Sequence, residues 1–225
     1  MDKLFQMDSP LMNFLSKVAS LVALNLLWLL CCIPVVTIGA STTAMYCVTR
    51  DMAKGDWPSV VPDFIRAFAG NFKQSVLIFF ILLIPVCLAI SYLLLTITTA
   101  LGAFWWFKAL CYIAIAIVCV VCSYVYPLLA NFDNSIRGTL KNAMLLPLAN
   151  PLLAAVVTAL NLLPILLLLI NTEIFFPFSY FWVTIGSALT AFVNTKMLLV
   201  LFRHFVPKKE QRSTPQKPGK EGKSV

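Results

Sequence analysis

The feature that most constrains the fold is a series of long apolar segments without any charged residue. One of them lies between Lys17 and Arg50, and the next between Lys73 and Lys108. The chain of 225 residues is 60% hydrophobic and 12% charged, whereas soluble domains hold roughly 45 to 50% apolar and about 25% charged residues. A helix needs roughly 20 apolar residues to cross a hydrocarbon core of about 30 Å. We therefore predict an all-α, polytopic transmembrane helical bundle with about five spans.

This apolar material leaves little for a separate domain, so we predict a single transmembrane domain over residues 1–206. Residues 207–225 contain Lys, Glu, Gln, Ser, Pro and Gly with almost nothing apolar. Such a segment cannot offset its ordering entropy by burial, and we predict a disordered basic cytoplasmic tail. Spans two to five are expected at residues 76–98, 109–129, 152–170 and 178–201.

The first apolar segment is too long for one simple crossing and contains Pro34 near its middle. Proline removes a backbone donor and restricts the residue before it, so the helix should kink or stop there. Either the segment crosses once, or the chain turns back near Pro34 as a re-entrant half-helix or short hairpin.

We favour the second arrangement because it leaves Lys3 and Lys17 on the same side as the other basic segments. Two short sequences that recur support it further. ALNLL occurs at 23–27 and again at 159–163, and VTIG occurs at 36–39 and again at 183–186. In the later copy the two pieces should lie on opposite arms of a helical hairpin. Chance similarity within Leu-rich and Ala-rich sequence is the alternative explanation.

The basic residues predict the orientation in the membrane. Residues 50–73, residues 131–141 and the C-terminal tail carry most of them, and alternating spans place these regions on one side. The positive-inside rule assigns that side to the cytoplasm, so we predict a multi-pass protein of the cell membrane with a cytoplasmic C-terminus. The net charge of +8 suits anionic headgroups of the lipid bilayer. It does not indicate nucleic acid, because no basic face interleaved with aromatics on a soluble fold is present.

An aromatic stripe is predicted within the first polar region. Phe64, Ile65, Phe68 and Phe72 recur at spacings that place them on one face of a helix. A short interfacial helix would use this stripe against lipid, and packing against the bundle is the alternative.

We find no catalytic constellation and predict no enzyme, cofactor or metal site. The only histidine, His204, adjoins Arg203 at the end of the fifth span, so no Ser, His and Asp set can be assembled. Cys119 and Cys122 form a CxxC without a nearby His or carboxylate, which favours apolar filling over metal binding. Lys196 is the only charge within an apolar span, and it lies where a long side chain can snorkel to the interface.

The strongest candidate site is a cluster of small, polar and helix-breaking residues in the first apolar segment. Broken helices at membrane depth often line a solute site in transporters, whereas small residues also allow tight helix packing. Both interpretations remain open for this motif, which comprises Asn25, Trp28, Pro34, Thr37, Gly39, Ser41, Thr42 and Thr43.

The chain resembles the YesL family of bacterial membrane proteins, a domain of unknown function, over nearly its whole length apart from the tail. The most specific piece is PVVTIGASTTA at 34–44, followed by Tyr46. The other matching pieces are DSPLM at 8–12, NLLWLLC at 25–31, NFKQ at 71–74, YPLLA at 126–130 and LKNA at 140–143. Asn131 is a departure, because relatives tend to carry a basic residue before the Phe.

The resemblance implies a Gram-positive-type cytoplasmic membrane protein whose relatives are often encoded beside carbohydrate-uptake transporters and polysaccharide-degrading enzymes. It implies no established activity. Our first hypothesis is a non-catalytic accessory or regulatory component of carbohydrate uptake that contacts a carbohydrate transporter complex through residues 50–73 and 131–141. Our second is a small-solute transporter or channel in its own right, with the broken first helix as part of its path.

Overall fold

The structure is a computed structural model that describes residues 10–98 and 105–205. The predicted all-α helical bundle is confirmed, whereas the predicted tail at 207–225 lies outside the described residues. The helices are α1 (Pro10–Cys32), α2 (Ile38–Lys54), α3 (Val60–Thr98), α4 (Trp105–Asn131), α5 (Ile136–Ala149), α6 (Pro151–Ile170), α7 (Thr172–Phe181) and α8 (Ser187–Phe205). A 3₁₀ turn (Val35–Thr37) precedes α2, and a π-helical turn (Trp182–Gly186) joins α7 to α8.

Five segments of the described chain are long and apolar enough to cross a membrane, as predicted. They are Leu11–Cys32, Val60–Thr96, Trp105–Asn131, Pro151–Ile170 and Thr172–Leu201. Two boundaries differ from the sequence prediction. The polar segment after α4 contains helix α5 instead of a simple turn, and the last span begins at Thr172 because its helix continues through Pro177.

The chain reverses direction at Pro34, which confirms the predicted hairpin. The Trp28 indole nitrogen on α1 lies 3.2 Å from the Thr42 hydroxyl on α2. Towards the other ends of the two arms, the Lys17 ammonium lies 5.3 Å from the centre of the Trp57 ring. With 17 residues, α2 is about 25 Å long, so it forms a full hairpin arm and not a half-helix.

Helix α2 is the centre of the bundle. Every residue from 39 to 50 except Thr42 is buried, and α1, α3, α4 and α8 all pack against it. Its sequence is rich in small and hydroxylated residues, which let helix backbones approach closely. A helix this polar is tolerated at membrane depth because protein, not lipid, covers it.

One end of the bundle collects the polar connections, and we call it the basic end. The Arg50 guanidinium, which is buried, donates to the carbonyl of Ala130 at the end of α4 and to the Asp51 carboxylate at 2.8 Å. Gln74 on α3 donates to the carbonyl of Asn134 at 2.8 Å. Described basic residues at this end are Lys17, Arg50, Lys54, Arg66, Lys73, Arg137, Lys141, Lys196 and Arg203, whereas Lys108 lies at the opposite end.

The aromatic stripe belongs to the start of α3, which is one continuous helix of 39 residues. Phe64 is fully buried and its ring stacks on Phe68, which in turn contacts Phe72. A separate interfacial helix is therefore wrong at this position. The first turns of α3 pack against the bundle, because full burial of the Phe64 side chain there contributes more stabilising free energy than partial exposure at the edge of the membrane.

Candidate functional site

The first half of the predicted motif joins α1 to an irregular turn of another helix. The Asn25 side chain is fully buried and donates to the carbonyls of Val183 at 2.6 Å and Trp182 at 3.3 Å. Its side-chain oxygen accepts a hydrogen bond from the backbone N–H of Ala188 at 2.9 Å. These groups belong to the π-helical turn and the residues after it, where the regular ladder is interrupted. Asn25 thus satisfies backbone groups that lipid could not.

The π-helical turn positions the Trp182 ring. A Cβ at Gly186 would lie 2.8 Å from two atoms of that ring, closer than any side chain could approach. Only glycine therefore lets Trp182 lie flat against the next turn of its own helix. Turns of this kind occur frequently at functional sites.

The break after α1 is closed by side-chain hydrogen bonds. The Thr37 hydroxyl lies 2.6 Å from the carbonyl of Cys31 and 2.7 Å from that of Pro34. The Cys31 carbonyl is at the end of α1, where helix carbonyls lack intrahelical donors, and the Pro34 carbonyl belongs to the 3₁₀ turn that follows. Pro34 itself is exposed, so we assign Pro34 and Thr37 to the reversal of the chain and not to a solute site.

Three further motif residues pack α2 tightly against its neighbours. A Cβ at Gly39 would lie 2.7 Å from the backbone oxygen of Ser75 on α3. The Thr43 hydroxyl lies 2.9 Å from that of Ser75, and both residues are fully buried. Ser41 is also fully buried. The tight-packing interpretation therefore describes Gly39, Ser41 and Thr43.

A cavity of about 430 Å³ lies among the helices at mid-depth of the bundle. Six helices and the π-helical turn contribute to its wall, so it is central to the fold. The lining residues are Trp28, Thr42, Met45, Tyr46, Val86, Val118, Cys119, Cys122, Ser123, Tyr126, Asn161, Leu162, Pro164, Trp182, Ser187, Thr190 and Ala191. The wall is mostly apolar, with two tryptophans, two tyrosines and a few polar groups.

Asn161 forms a polar part of this wall and is held by Asn194 behind it. The Asn194 amide donates to the side-chain oxygen of Asn161 at 2.9 Å, and the Tyr46 hydroxyl adjoins both amides. Asn194 and Tyr46 are buried. The three side chains join α2, α6 and α8 in an environment where hydrogen bonds between helices contribute to association.

Of the predicted motif, only Trp28 and Thr42 reach the cavity. Their mutual hydrogen bond fixes the Trp28 ring, and Thr42 also donates to the carbonyl of Ile38 at 2.8 Å. Most of the lining was missed, because it comes from four later segments of the chain. A signal was present, since Asn161 belongs to the second ALNLL copy.

The described residues contain no cluster of metal-ligating side chains. Among residues 10–98 and 105–205, no group of three or more His, Cys, Asp or Glu side chains is placed to hold a metal ion. Cys119 and Cys122 face the cavity from consecutive turns of α4 as free thiols. What the wall can do chemically is bind a molecule through aromatic faces and hydrogen bonds.

Comparison with known proteins places the motif within a recognised family region. Residues 21–93 match a family model described as "Protein of unknown function, DUF624". The match begins in α1, includes the hairpin and α2, and ends in α3. Searches of curated proteins and of solved structures both found no match.

Proposed function

We propose that this multi-pass membrane protein, similar over residues 21–93 to a family of unknown function, is a non-catalytic accessory or regulatory component of carbohydrate uptake. The link to carbohydrate comes from the resemblance to the YesL family of bacterial membrane proteins. The proposed location is the cell membrane, with the C-terminus in the cytoplasm and a carbohydrate transporter complex as partner.

The observation that carries this proposal is that the two polar segments assigned to partner contact form one surface. The hydrogen bonds from Arg50 to Ala130 and from Gln74 to Asn134 hold residues 50–73 beside residues 131–141. Separate flexible loops would each lose entropy on binding, whereas a preassembled surface loses less. The basic end is therefore suited to docking.

Helix length extends this surface beyond the bilayer. Helix α3 has 39 residues and is about 58 Å long, roughly twice the hydrocarbon thickness of about 30 Å. Its apolar part begins near residue 76, so the turns before it reach into the headgroup region and past it. Arg66 is 76% exposed there, and its contact with Asp63 is a loose 3.7 Å.

Charge supports a cytoplasmic position for the basic end. Nine described basic residues lie at this end and Lys108 lies at the other, a bias that orients membrane proteins with the basic side inside. In a variant without native cysteines, cysteines introduced at Lys17 and Asp56 should both be labelled by an impermeant maleimide only after the cell is opened. Labelling of either position in intact cells would contradict the orientation.

A co-purification experiment tests the accessory role. Arg137→Glu with Lys141→Glu reverses two exposed charges on α5 and should abolish capture of sugar-transport subunits from crosslinked membranes, identified by mass spectrometry. Lys108→Glu reverses one charge at the opposite end and should leave capture intact. Equal capture by all three proteins, or no transport subunit with the wild type, would refute the role.

A small-solute transporter or channel is the second candidate, and the central cavity favours it. The cavity is lined by Trp28 of α1 and Thr42 of α2, which lie on either side of the broken segment, and solute sites of many transporters are formed beside broken helices. Purified protein in liposomes should then conduct a solute without any partner. Absence of flux, combined with co-purification of a transporter, would favour the accessory role.

A further inference from the structure

We infer that the central cavity is a binding site for an uncharged small molecule that combines an apolar ring with a hydroxyl or amide group. This inference goes beyond the proposed function, because it holds whether the ligand is a regulator of an accessory protein or the cargo of a transporter. It rests on the charge, the unpaired polar groups and the aromatic walls of the cavity.

The absence of charged side chains in the wall indicates that the ligand is uncharged. No Asp, Glu, Lys, Arg or His side chain is among the residues that line the described cavity. A charge at the bilayer centre costs several kcal/mol unless it is paired or hydrated. An ionic ligand would lack a counter-charge here, so the site discriminates in favour of neutral molecules.

Unpaired hydroxyl groups in the wall indicate that the ligand carries a hydroxyl or amide group. Within the part of the chain that the structure describes, the hydroxyls of Tyr126, Ser187 and Thr190 belong to residues of the wall and make no hydrogen bond to protein. A hydroxyl without a protein partner can donate a hydrogen bond to a ligand or accept one from it. A ligand with its own hydroxyl or amide would supply such a partner.

A fourth unpaired group lies behind the wall. The side-chain oxygen of Asn194, which is fully buried, has no hydrogen-bond partner among the described residues. The amide N–H of Asn194 donates a hydrogen bond to the side-chain oxygen of Asn161, which does line the cavity. Asn161 and the neighbouring Tyr46 hydroxyl therefore present a polar end to the cavity, opposite a largely carbon surface.

The aromatic rings in the wall indicate that the ligand contains an apolar ring. Trp28, Tyr46, Tyr126 and Trp182 contribute to one cavity of about 430 Å³, within the range of small-molecule sites. Two of these rings are preorganised: Trp28 by its bond to Thr42, and Trp182 by its contact with Gly186. Rings held in place lose little entropy when a flat apolar ligand packs against them.

Two isosteric probes test the inference on the full-length protein in detergent. The probes are 4-fluorobenzyl alcohol, which is neutral, and 4-fluorobenzylammonium, which has the same shape and one positive charge. Saturable binding is followed by ¹⁹F NMR line broadening, since partition into micelles does not saturate. We expect saturable binding of the alcohol and at least about tenfold weaker binding of the ammonium compound, because its charge has no partner in the site.

Three variants locate the binding. Ala191→Phe fills the cavity and should abolish saturable binding, whereas Leu189→Phe places the same ring on the exposed face of α8 and should not change it. Thr190→Val keeps the shape of the wall but removes one hydroxyl, and should weaken binding of the alcohol by about five- to tenfold. This conservative change keeps the test valid if Ala191→Phe does not fold.

Each other outcome overturns the inference. Absence of saturable binding of the alcohol excludes the site, and equal binding of the two probes excludes the selection against charge. Binding that survives both Ala191→Phe and Thr190→Val places the probe elsewhere. None of these results bears on co-purification of a transporter, so failure here and failure of the accessory role are distinguishable.

Discussion

Replacing Asn25 by leucine tests how α1 stabilises the π-helical turn (Trp182–Gly186) that precedes α8. The substitution keeps a similar volume but removes the donor to the carbonyls of Val183 and Trp182 and the acceptor for Ala188 N–H. Because Asn25 is fully buried, no water can replace these bonds. The backbone must either leave its groups unpaired or rearrange the π-helical turn.

The expected loss of stability follows from the three hydrogen bonds that the substitution removes. Hydrogen bonds between membrane helices contribute about 0.6 kcal/mol on average, so the direct loss is about 2 kcal/mol. An unsatisfied buried carbonyl or N–H adds about 1–3 kcal/mol. We therefore expect Asn25→Leu to lower the free energy of unfolding by about 3 kcal/mol or more.

The assay is reversible unfolding in mixed micelles by titration with sodium dodecyl sulfate, followed by circular dichroism. Asn161→Leu is the matched control, because Asn161 occupies the same place in the second ALNLL copy and makes one hydrogen bond, to Asn194. That control should lose about 1 kcal/mol. If Asn25→Leu is no more destabilising than Asn161→Leu, the assignment of Asn25 as the partner of the broken ladder is wrong.

Two further predictions concern packing and charge, each with a control of the same chemistry. Gly39→Ala should destabilise the protein by about 1–3 kcal/mol, since its new methyl group overpacks the contact with α3, whereas Gly70→Ala, with open space around it, should be neutral or up to about 1 kcal/mol stabilising. The same unfolding titration measures both, and equal effects would refute the close approach of α2 and α3. Arg50→Met should cost more than about 1 kcal/mol, because it removes hydrogen bonds of a buried guanidinium at the end of α4. Arg66→Met removes an exposed charge, and its free energy of unfolding should stay within about 0.5 kcal/mol of the wild-type value. A larger loss of stability for Arg66→Met than for Arg50→Met would contradict the burial argument.

The repeated sequence pieces acquire a structural meaning from the fold. Each VTIG copy lies at an irregular turn, the first at the 3₁₀ turn before α2 and the second within the π-helical turn before α8. In both copies the glycine is at a close contact: Gly39 with the backbone of α3, and Gly186 with a tryptophan of its own helix. The two asparagines differ, because Asn25 pairs with backbone and Asn161 with another side chain.

Local sequence determined the helical membrane architecture and the five spans, and it favoured the reversal at Pro34 over a single crossing. Lipid leaves the backbone no alternative to internally bonded helices, and Pro34 removes a backbone donor and restricts the residue before it. These properties depend on residues close together in the chain, so local sequence is sufficient to predict them.

Only the tertiary structure decided which small and polar residues pack helices and which surround the cavity. Thr42 and Thr43 are adjacent in sequence and of the same type, yet Thr42 faces the cavity while Thr43 bonds to Ser75 on α3. The difference is about 100° of rotation around α2, and it has meaning only once the neighbouring helices are in place. The cavity wall, drawn from segments between Trp28 and Ala191, likewise exists only in the assembled bundle.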